Sequence, residues 1–239
     1  MACHAGPNIV EDNLVLCLDA GNTKSYPGSG TTWTDLTGNG VTGTLLNDAT
    51  FNSGNGGYIV FDGSGDYVSM TTSTFTTLEE EDFTLGFWAF SDDVSTQYRA
   101  LVSSTDTTNG TGWQSAAAWQ ISINNSSKLE IKIRSDTGSS QAGIVANSTL
   151  SSDTWYYFVV TRTTGGNYKI YYNTEEEGSG TDIDSGTDLD CSIFAIGMNR
   201  GYDYPWDGGI AIVQIYKGKA LTEAEIKQNY NAHKGRFGL

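Results

Sequence analysis

The sequence predicts an all-β protein in which two antiparallel sheets pack face to face as a sandwich, with one short α-helix near the C-terminus. Short runs of β-branched and aromatic residues recur along the 239 residues, separated by turns rich in Gly, Asn, Asp and Ser. The 29 glycines and 13 tyrosines against 3 prolines are typical of many strands joined by tight turns. A sequence of this length can form one such domain, and it contains no internal repeat that would indicate a propeller or solenoid.

The clearest central strand lies near the C-terminal end, and a helix follows it. Residues 210–216 form β-strands readily and are apolar on both faces at all but one position, which predicts a strand with neighbours on both sides. After this run, Thr222 and Glu225 have the spacing of a capping box, so a helix is expected to begin there. Ile226 and Tyr230 share one face of that helix, which can pack on the strand layer.

Three further patterns predict how strands are placed and connected. Residues 14–19 are apolar on both faces and predict a second central strand. Residues 62–66 predict a short reversal between strands at 58–61 and 67–70. The Asp-Gly-Gly sequence at residues 207–209 predicts a turn before the C-terminal central strand.

The most regular alternation of apolar and polar residues lies at residues 128–134. Leu129, Ile131 and Ile133 point to one side, and Lys128, Glu130, Lys132 and Arg134 to the other. This strand is therefore expected to have one dry face and one wet face, and to pair with residues 117–123. Residues 155–162 and 168–172 predict the next hairpin.

The acidic composition limits the expected partners. The formal net charge is −15, from 28 acidic and 13 basic residues. Such a charge disfavours nucleic acid and anionic membrane surfaces, so neither is expected as a partner. The first seven residues lack the basic and apolar regions of a signal peptide, and no apolar stretch is long enough to cross a bilayer. We therefore expect synthesis in the cytoplasm without export.

The three cysteines, Cys3, Cys17 and Cys191, are too widely spaced for a disulfide framework or a zinc site. Cys17 lies inside an apolar run and is expected to be a buried free thiol. A bridge between Cys17 and Cys191 is the alternative, and it is disfavoured in a reducing compartment.

Several short motifs, in this order and spacing, resemble those of laminin-G-like, concanavalin-A-like jelly-roll domains. They are Phe61-Asp62-Gly63 with Asp66-Tyr67-Val68, Phe83 to Trp88, Trp155 to Arg162, Ile196-Gly197 with Asp207 to Ala211, and Leu221 to Ile226. The resemblance implies a jelly-roll domain over residues 9–232, preceded by an arm at 1–8 and followed by a tail at 233–239.

Both ends of the chain carry a narrower resemblance. Residues 6–10, 18–22, 228–232 and 235–239 are similar to those of proteins encoded by tailed bacteriophages, notably phages of marine cyanobacteria. This likeness implies a non-catalytic structural protein located on the virion, as a capsid decoration, cement or fibre. It also implies that the partners are other virion proteins or further copies of the chain, with adhesion to host surface glycans as an added role.

Catalytic motifs are incomplete. Some relatives are glycoside hydrolases, in which Glu-x-Asp is followed by a second Glu on the same face of a strand. Residues 80–82 begin such a pattern, but Thr84 and Leu85 stand where the closing Glu should be. The two histidines, His4 and His233, lie near the termini, and no nucleophile elbow or phosphate loop occurs. We therefore expect no enzymatic activity, and a glycoside hydrolase is the least favoured function.

Calcium is the one cofactor that the resemblance implies, because many relatives bind Ca²⁺ through loop oxygens at the rim of the sheets. The first candidates here are Asp203 and Asp207, and the alternative is that they are solvated turn residues. Further candidates are Asp62, Asp66, Asp182, Asp184, Asp188 and Asp190. A calcium-assisted, lectin-like carbohydrate-binding module is therefore the alternative function.

An aromatic loop is the first candidate for contact with a ligand or partner. Tyr202, Tyr204 and Trp206 could stack on a sugar ring or a protein, because such side chains combine an apolar body with a polar atom. Alternatively, Trp206 closes the end of the sandwich. Three other tryptophans lie in strand patterns and are expected in the core, namely Trp88, Trp119 and Trp155.

The C-terminal tail is a candidate assembly contact. It is locally basic at Lys234 and Arg236, and it ends in the apolar residues Phe237 and Leu239, which are expected to be exposed. Arg236, Phe237 and Leu239 are therefore predicted to insert into a neighbouring subunit.

Overall fold

The computed structural model describes residues 8–70, 81–96, 98–105, 118–134, 141–181, 193–199 and 204–239. Within these ranges sixteen strands form two antiparallel sheets, and one α-helix lies near the C-terminus. The predicted all-β sandwich with a single short C-terminal helix is confirmed. No helix in the described ranges is long and apolar enough to cross a membrane.

The elements follow one another along the chain in a simple order. The strands are β1 (Leu14–Asp19), β2 (Thr32–Thr34), β3 (Thr42–Leu46), β4 (Thr50–Asn52), β5 (Tyr58–Asp62), β6 (Tyr67–Met70), β7 (Phe83–Ser91), β8 (Arg99–Thr105), β9 (Ala118–Ile123), β10 (Leu129–Arg134), β11 (Gln141–Val145), β12 (Tyr156–Thr163), β13 (Asn167–Tyr172), β14 (Glu175–Thr181), β15 (Ile193–Ile196) and β16 (Asp207–Lys217). The helix α1 (Glu223–His233) and a 3-10 turn (Lys234–Phe237) complete the chain.

The strands divide equally between two sheets. Sheet A has the order β14-β13-β12-β7-β16-β5-β4, and β1 also pairs with β16. Sheet B has the order β11-β10-β9-β8-β15-β6-β3-β2. The predicted hairpins of β9 with β10 and of β12 with β13 are both present. Because β5 and β6 lie in different sheets, and β15 and β16 do too, the chain crosses repeatedly between layers, as in a jelly roll.

The main core lies between the two sheets. Sheet A contributes Leu85 and Phe87 from alternate positions of β7, and sheet B contributes Ile121 and Ile123 from β9; none of the four is more than 1% exposed. The predicted dry side of β10 also faces this core. Burying a side chain of this size contributes about 1.5–3 kcal/mol, so these alternating rows hold the layers together.

Sheet A is built around β16. This strand pairs with β7 along one edge and with β1 and β5 along the other, which confirms it as a central strand. It begins at Asp207, so the turn predicted at residues 207–209 is wrong. The glycines are needed for packing instead, because a Cβ atom at Gly209 would lie 2.3 Å from the ring of Phe90 and 2.7 Å from that of Tyr58.

The reversal predicted at residues 62–66 is a crossing between sheets. Its two strands, β5 and β6, pair with different partners and not with each other. The buried carboxylate of Asp66 holds the corner by accepting the N–H groups of Asp48 at 2.9 Å and of Asp62 at 3.2 Å. Burial raises the pKa of the Asp66 carboxyl above its usual range.

The described part of the structure pairs β1 with β16 alone, so the prediction of a second central strand is wrong. The other edge of β1 is satisfied by a loop, in which the N–H of Leu36 donates to the carbonyl of Cys17 at 2.9 Å and the carboxylate of Asp35 accepts the N–H of Cys17 at 2.8 Å. Cys17 is disulfide-bonded, which corrects the expected free thiol. Cys191, the partner considered for it, lies outside the described residues.

Helix α1 covers part of the outer face of sheet A. It begins with the predicted capping box, in which the N–H of Glu225 donates to the Thr222 hydroxyl at 3.4 Å and the N–H of Thr222 donates to the Glu225 carboxylate at 2.9 Å. Ile226 is fully buried, and Tyr230 packs beside it on the ring of Trp88, as predicted for this face of the helix.

A buried hydrogen-bond network joins the helix to the sheet. The fully buried amide of Asn229 donates to the hydroxyls of Tyr216 at 2.8 Å and Tyr157 at 3.4 Å, and it accepts the N–H of Val10 at 2.8 Å. The Tyr157 hydroxyl donates in turn to Gln214 at 3.0 Å. Because buried polar groups must be paired, this network specifies where the helix sits.

The network predicts a loss of stability in alkali. Burial raises the pKa values of Tyr157 and Tyr216 well above their usual range, so the folded protein keeps both phenols protonated while the unfolded chain ionises them above about pH 10. These two phenols leave the free energy of unfolding unchanged below that pH, and above it we expect it to fall by up to about 1.4 kcal/mol per pH unit for each phenol. Urea denaturation at stepwise increasing pH measures this, and a flat profile through the alkaline range would contradict it.

Candidate functional site

Trp206 anchors the loop that was predicted to contact a ligand. Its side chain is fully buried, and its indole N–H donates to the carbonyl of Phe90 at 3.1 Å. Its backbone N–H donates to Gly197 at 2.8 Å, and its carbonyl accepts the N–H of Gly63 at 3.0 Å. Trp206 therefore closes the end of the sandwich, in agreement with the alternative interpretation. Its effect on a ligand is indirect, because it positions the neighbouring residues of the loop.

Tyr204 is the exposed residue of this loop. Its side chain is 45% exposed, while its carbonyl accepts the N–H of Ala100 at 3.0 Å, which ties the loop to β8. Its ring lies edge-on to that of Tyr98, with 5.3 Å between ring centroids. We call Tyr98 and Tyr204 the tyrosine pair. The predicted contact Tyr202 lies outside the described residues.

A charged side chain lies directly beside the tyrosine pair. The ammonium of Lys132 is 4.3 Å from the centroid of the Tyr98 ring and 2.6 Å from the carboxylate of Glu130. Glu130 also accepts the Ser122 hydroxyl at 3.3 Å, and Ser122 accepts the side-chain amide of Gln120 at 3.2 Å. A chain of hydrogen bonds within β9 and β10 thus fixes the position of Lys132.

These groups belong to the outward side of sheet B. At one level of this sheet, strand register aligns polar or small residues across β3, β6, β15, β8, β9 and β10, namely Thr44, Ser69, Ala195, Ser103, Gln120 and Lys132. We call this row, with Ser122 and Glu130, the polar face. Five of its eight residues are buried, and Thr44, Ser69 and Lys132 are its more accessible members. The wet face predicted for β10 points outward as expected, but Glu130 is only 5% exposed, so the expectation of a solvated carboxylate is wrong.

Arg99 clamps the rim next to the tyrosine pair. Its guanidinium is 3.1 Å from the carboxylate of Asp207 and 3.4 Å from that of Asp93, and it donates to the carbonyl of Pro205 at 3.1 Å. Hydrogen bonds from the side chains of Ser95 and Thr96 hold the pKa of the Asp93 carboxyl well below its usual range. Arg99 therefore faces an ionised Asp93 carboxylate and is also paired with Asp207.

The predicted metal ligands are only partly described. Asp207 is paired with Arg99, and Asp203 lies outside the described residues, as do Asp182, Asp184, Asp188 and Asp190. Asp66 is buried as a backbone cap, while Asp62 is exposed and accepts the N–H of Ser64 at 2.7 Å. Among the described residues, no group of three or more metal-binding side chains comes together.

The incomplete catalytic motifs are held in structural contacts. Glu81 and Asp82 directly precede β7, and Glu80 lies outside the described residues. The Thr164 hydroxyl donates to Asp82 at 2.6 Å, and this hydrogen bond is the main cause of the lowered pKa of its carboxyl. His233 is buried at the end of α1, with its Nδ1 atom 3.2 Å from the carbonyl of Asn229.

The C-terminal residues pack on their own domain. Phe237 is 7% exposed and stacks on Trp88 with 4.3 Å between ring centroids, so the expectation that Phe237 is exposed is wrong. Arg236 lies 2.6 Å from the carboxylate of Asp19 and donates to the carbonyl of Gly57. Leu239 is 48% exposed, as expected. Phe237 is buried because the 3-10 turn packs on the aromatic residues of the outer face of sheet A and shields them from water.

The three tryptophans expected in the core occupy different places. Trp119 is buried between the sheets, as predicted. Trp88 is fully buried but on the outer face of sheet A, beneath α1 and Phe237. Trp155 precedes β12 and is only partly buried, on the same outer face, so its assignment to the core is wrong.

A sequence profile described as the concanavalin A-like lectin/glucanases superfamily matches residues 62–227, which is more than half of the chain. The chain belongs to this superfamily. The matched range runs from the corner after β5 into α1, so it includes the tyrosine pair and most strands of the polar face. No curated protein sequence matches the chain.

Several solved structures share the superfamily fold. The receptor-binding domain of a botulinum neurotoxin C/D mosaic serotype has a TM-score of 0.70 at 18% identity, covering 92% of this chain and 51% of that chain. The serotype D ligand-binding domain in complex with N-acetylneuraminic acid gives 0.68 at 17%, over 92% and 50%. The binding domain of Paraclostridial Mosquitocidal Protein 1 gives 0.67 at 19%, over 92% and 52%. The chain thus spans about half the length of these proteins, and identities this low establish the fold alone.

Part of the site in this superfamily member was not identified from the sequence. The aromatic loop indicated Tyr204, but no local pattern in the sequence indicated its ring partner Tyr98. The alternation at residues 128–134 placed Glu130 and Lys132 on one face, and opposite charges two residues apart were the available signal for their pairing. The partners of Arg99 lie at residue 93 and at residues 205–207, and they leave no local pattern.

Proposed function

We propose that this chain is a non-catalytic binding module that recognises glycans at the edge of the polar face of sheet B, with the tyrosine pair as its stacking platform and Lys132 as the accessible polar group beside it. The observation that carries this is the exposed ring of Tyr204 against Tyr98, directly beside Lys132 and the polar row. An aromatic ring provides an apolar surface for the C–H groups of a sugar, and polar side chains nearby accept and donate hydrogen bonds to its hydroxyls. The superfamily fold and its carbohydrate-bound structural neighbour support the same proposal.

The absence of catalysis is part of this proposal. Glycoside hydrolysis needs two carboxyl groups facing each other across the scissile bond, one of them free to transfer a proton. Three of the carboxylates described at this end of the sandwich are instead held by cations of the chain, Glu130 by Lys132, and Asp93 and Asp207 by Arg99. The pKa of the neighbouring Asp92 carboxyl is raised by burial and by its hydrogen bond to Asp153, so these two carboxyl groups contact each other and do not face each other across a gap that would hold a sugar. The receptor-binding domains among the structural neighbours favour the same interpretation.

Replacing Tyr204 with alanine is expected to weaken glycan binding about tenfold or more, because an exposed aromatic anchor carries much of the energy of such a contact. A glycan array identifies the bound sugar, and calorimetric titration then measures its affinity for both proteins. Leu239→Ala is the matched control, since it removes a similarly exposed apolar side chain elsewhere on the surface. Equal affinities for the wild-type protein and Tyr204→Ala would contradict the proposed site.

We also propose that the module is carried on a bacteriophage particle, as a decoration, cement or fibre, with virion proteins or further copies of the chain as partners. The similarity of both chain ends to phage-encoded proteins supports this location, and glycan recognition suits adhesion to a host. Mass spectrometry and antibody labelling of purified particles test it. If the protein is missing from intact particles, the virion location is refuted while glycan recognition stands.

Calcium-assisted binding through Asp203 and Asp207 is the alternative form of this function. Arg99 already neutralises Asp207, so a calcium ion would have to displace the guanidinium from it. Under this alternative, titration with Ca²⁺ releases heat and raises the melting temperature. No heat and no change in melting would remove the alternative.

A further inference from the structure

Both cations described beside the tyrosine pair are already paired with carboxylates. Lys132 contacts Glu130 at 2.6 Å, and Arg99 contacts Asp207 at 3.1 Å and Asp93 at 3.4 Å. Two cations therefore face three carboxylates at this end of the polar face. Neither Lys132 nor Arg99 therefore offers an unpaired positive charge to a ligand.

On this basis, and resting on the proposed function, we infer that the polar face selects uncharged glycans and excludes acidic sugars. Glu130 is the residue that sets this selectivity, because it neutralises the cation that lies over the Tyr98 ring. It acts as a positioning and electrostatic residue, since its side chain is only 6% exposed and a ligand would meet Lys132 and Tyr204 first.

The Glu130 carboxylate cannot easily move aside. It accepts the hydroxyl of Ser122 at 3.3 Å, and Ser122 is fully buried and bonded to Gln120. The Lys132 ammonium is held between this carboxylate and the Tyr98 ring, 4.3 Å from the ring centroid. A sugar carboxylate that approached Lys132 would therefore lie close to a fixed carboxylate in a partly desolvated site.

The physical consequence is discrimination by repulsion. The carboxylate of an acidic sugar and the carboxylate of Glu130 would repel each other, and this repulsion grows as water is excluded from the contact. An uncharged sugar is not repelled by Glu130, and its hydroxyl groups can hydrogen-bond to Lys132 without separating Lys132 from Glu130. The same protein surface thus accepts hydroxyls and rejects carboxylates.

The experiment uses a glycan array printed with matched pairs, each with and without a terminal N-acetylneuraminic acid. We expect the wild-type protein to bind the uncharged member about tenfold better. Glu130→Gln keeps the shape and the hydrogen-bond acceptor but releases Lys132, so it is expected to shift the preference about tenfold towards the acidic member. Glu176→Gln is the matched control, because it removes an acid from the Lys169–Glu176 pair of sheet A, at 2.7 Å, and should leave the preference unchanged.

A second measurement needs no variant. Because charge repulsion is screened by salt, the preference of the wild-type protein for uncharged glycans should decrease as ionic strength rises. Stronger binding of the acidic member by the wild-type protein, a preference unaffected by salt, or the same preference in a folded Glu130→Gln would each overturn this inference while leaving glycan recognition intact. No binding to either member of any pair would remove the proposed function and this inference together.

Discussion

Replacing Trp206 with alanine lowers the free energy of unfolding by about 3–5 kcal/mol, the range for removing a large aromatic side chain from a packed interior. The indole is fully buried, and its N–H is bonded to Phe90, so the variant leaves both a cavity and an unpaired carbonyl. The loss also frees residues 204–206, which display Tyr204. We therefore expect glycan binding to fall together with stability, as measured by urea denaturation and calorimetric titration.

Tyr204→Ala is the matched control for this prediction. The two residues lie in one loop, but Tyr204 is 45% exposed, so its truncation should change the free energy of unfolding by less than about 1 kcal/mol while abolishing most of the binding. The two variants thus distinguish the structural role of Trp206 from the ligand contact made by Tyr204. If Trp206→Ala is as stable as the wild-type protein, the account of the loop is wrong.

Replacing Arg236 with alanine is expected to cost about 3–5 kcal/mol, because it leaves a buried carboxylate without its cation. The Asp19 side chain is 3% exposed and lies 2.6 Å from the guanidinium. Arg236 also donates to the carbonyl of Asn55 at 2.6 Å, so the variant detaches the 3-10 turn from sheet A. Thermal and urea denaturation measure the loss.

Lys169→Ala is the comparison for this variant. It breaks an ion pair with a similar separation, 2.7 Å to Glu176, but both side chains are at least one-third exposed, and such pairs contribute about 0–1 kcal/mol. A similar small loss for Arg236→Ala would show that the C-terminal turn is not held by this pair. It would also reopen the prediction that Arg236 inserts into a neighbouring subunit.

The predicted assembly role of the tail needs a narrower test than removal of residues 235–239. That deletion would remove Arg236 and Phe237, and the resulting loss of stability would be indistinguishable from a loss of assembly. Leu239 is 48% exposed and is the tail residue best placed to contact another molecule. Leu239→Ala should therefore preserve stability, and any effect on incorporation into particles would be an assembly effect.

The sequence was most informative where a single segment determined its own structure. The alternation in β10, the capping box at Thr222 and the apolar run of β16 each predicted a strand or helix that is present, because period and capping are local properties. Short strands with polar composition were missed. For example, β14 begins with three glutamates, and it is a strand because β13 supplies its hydrogen bonds.

Errors occurred where the partner of a segment comes from a distant part of the chain. β1 is apolar on both faces, but residues 35–39 complete its free edge, and no local signal distinguishes a loop from a strand as the neighbour. The burial of Phe237 was not predicted for the same reason, because its packing partner Trp88 lies in β7, far away in the sequence. For the candidate site, the sequence indicated Tyr204 but could not show that Tyr98 and Lys132 lie beside it.

The most direct test of the central claim is a titration of the protein, with its tyrosine rings isotopically labelled, against the glycan that the array identifies. We predict that the ring resonances of Tyr98 and Tyr204 shift on binding, that those of Tyr157 in sheet A and Tyr230 in α1 do not, and that the glycan is recovered uncleaved. Shifts confined to Tyr157 and Tyr230, or a cleaved glycan, would contradict the assignment of the polar face as a non-catalytic binding site.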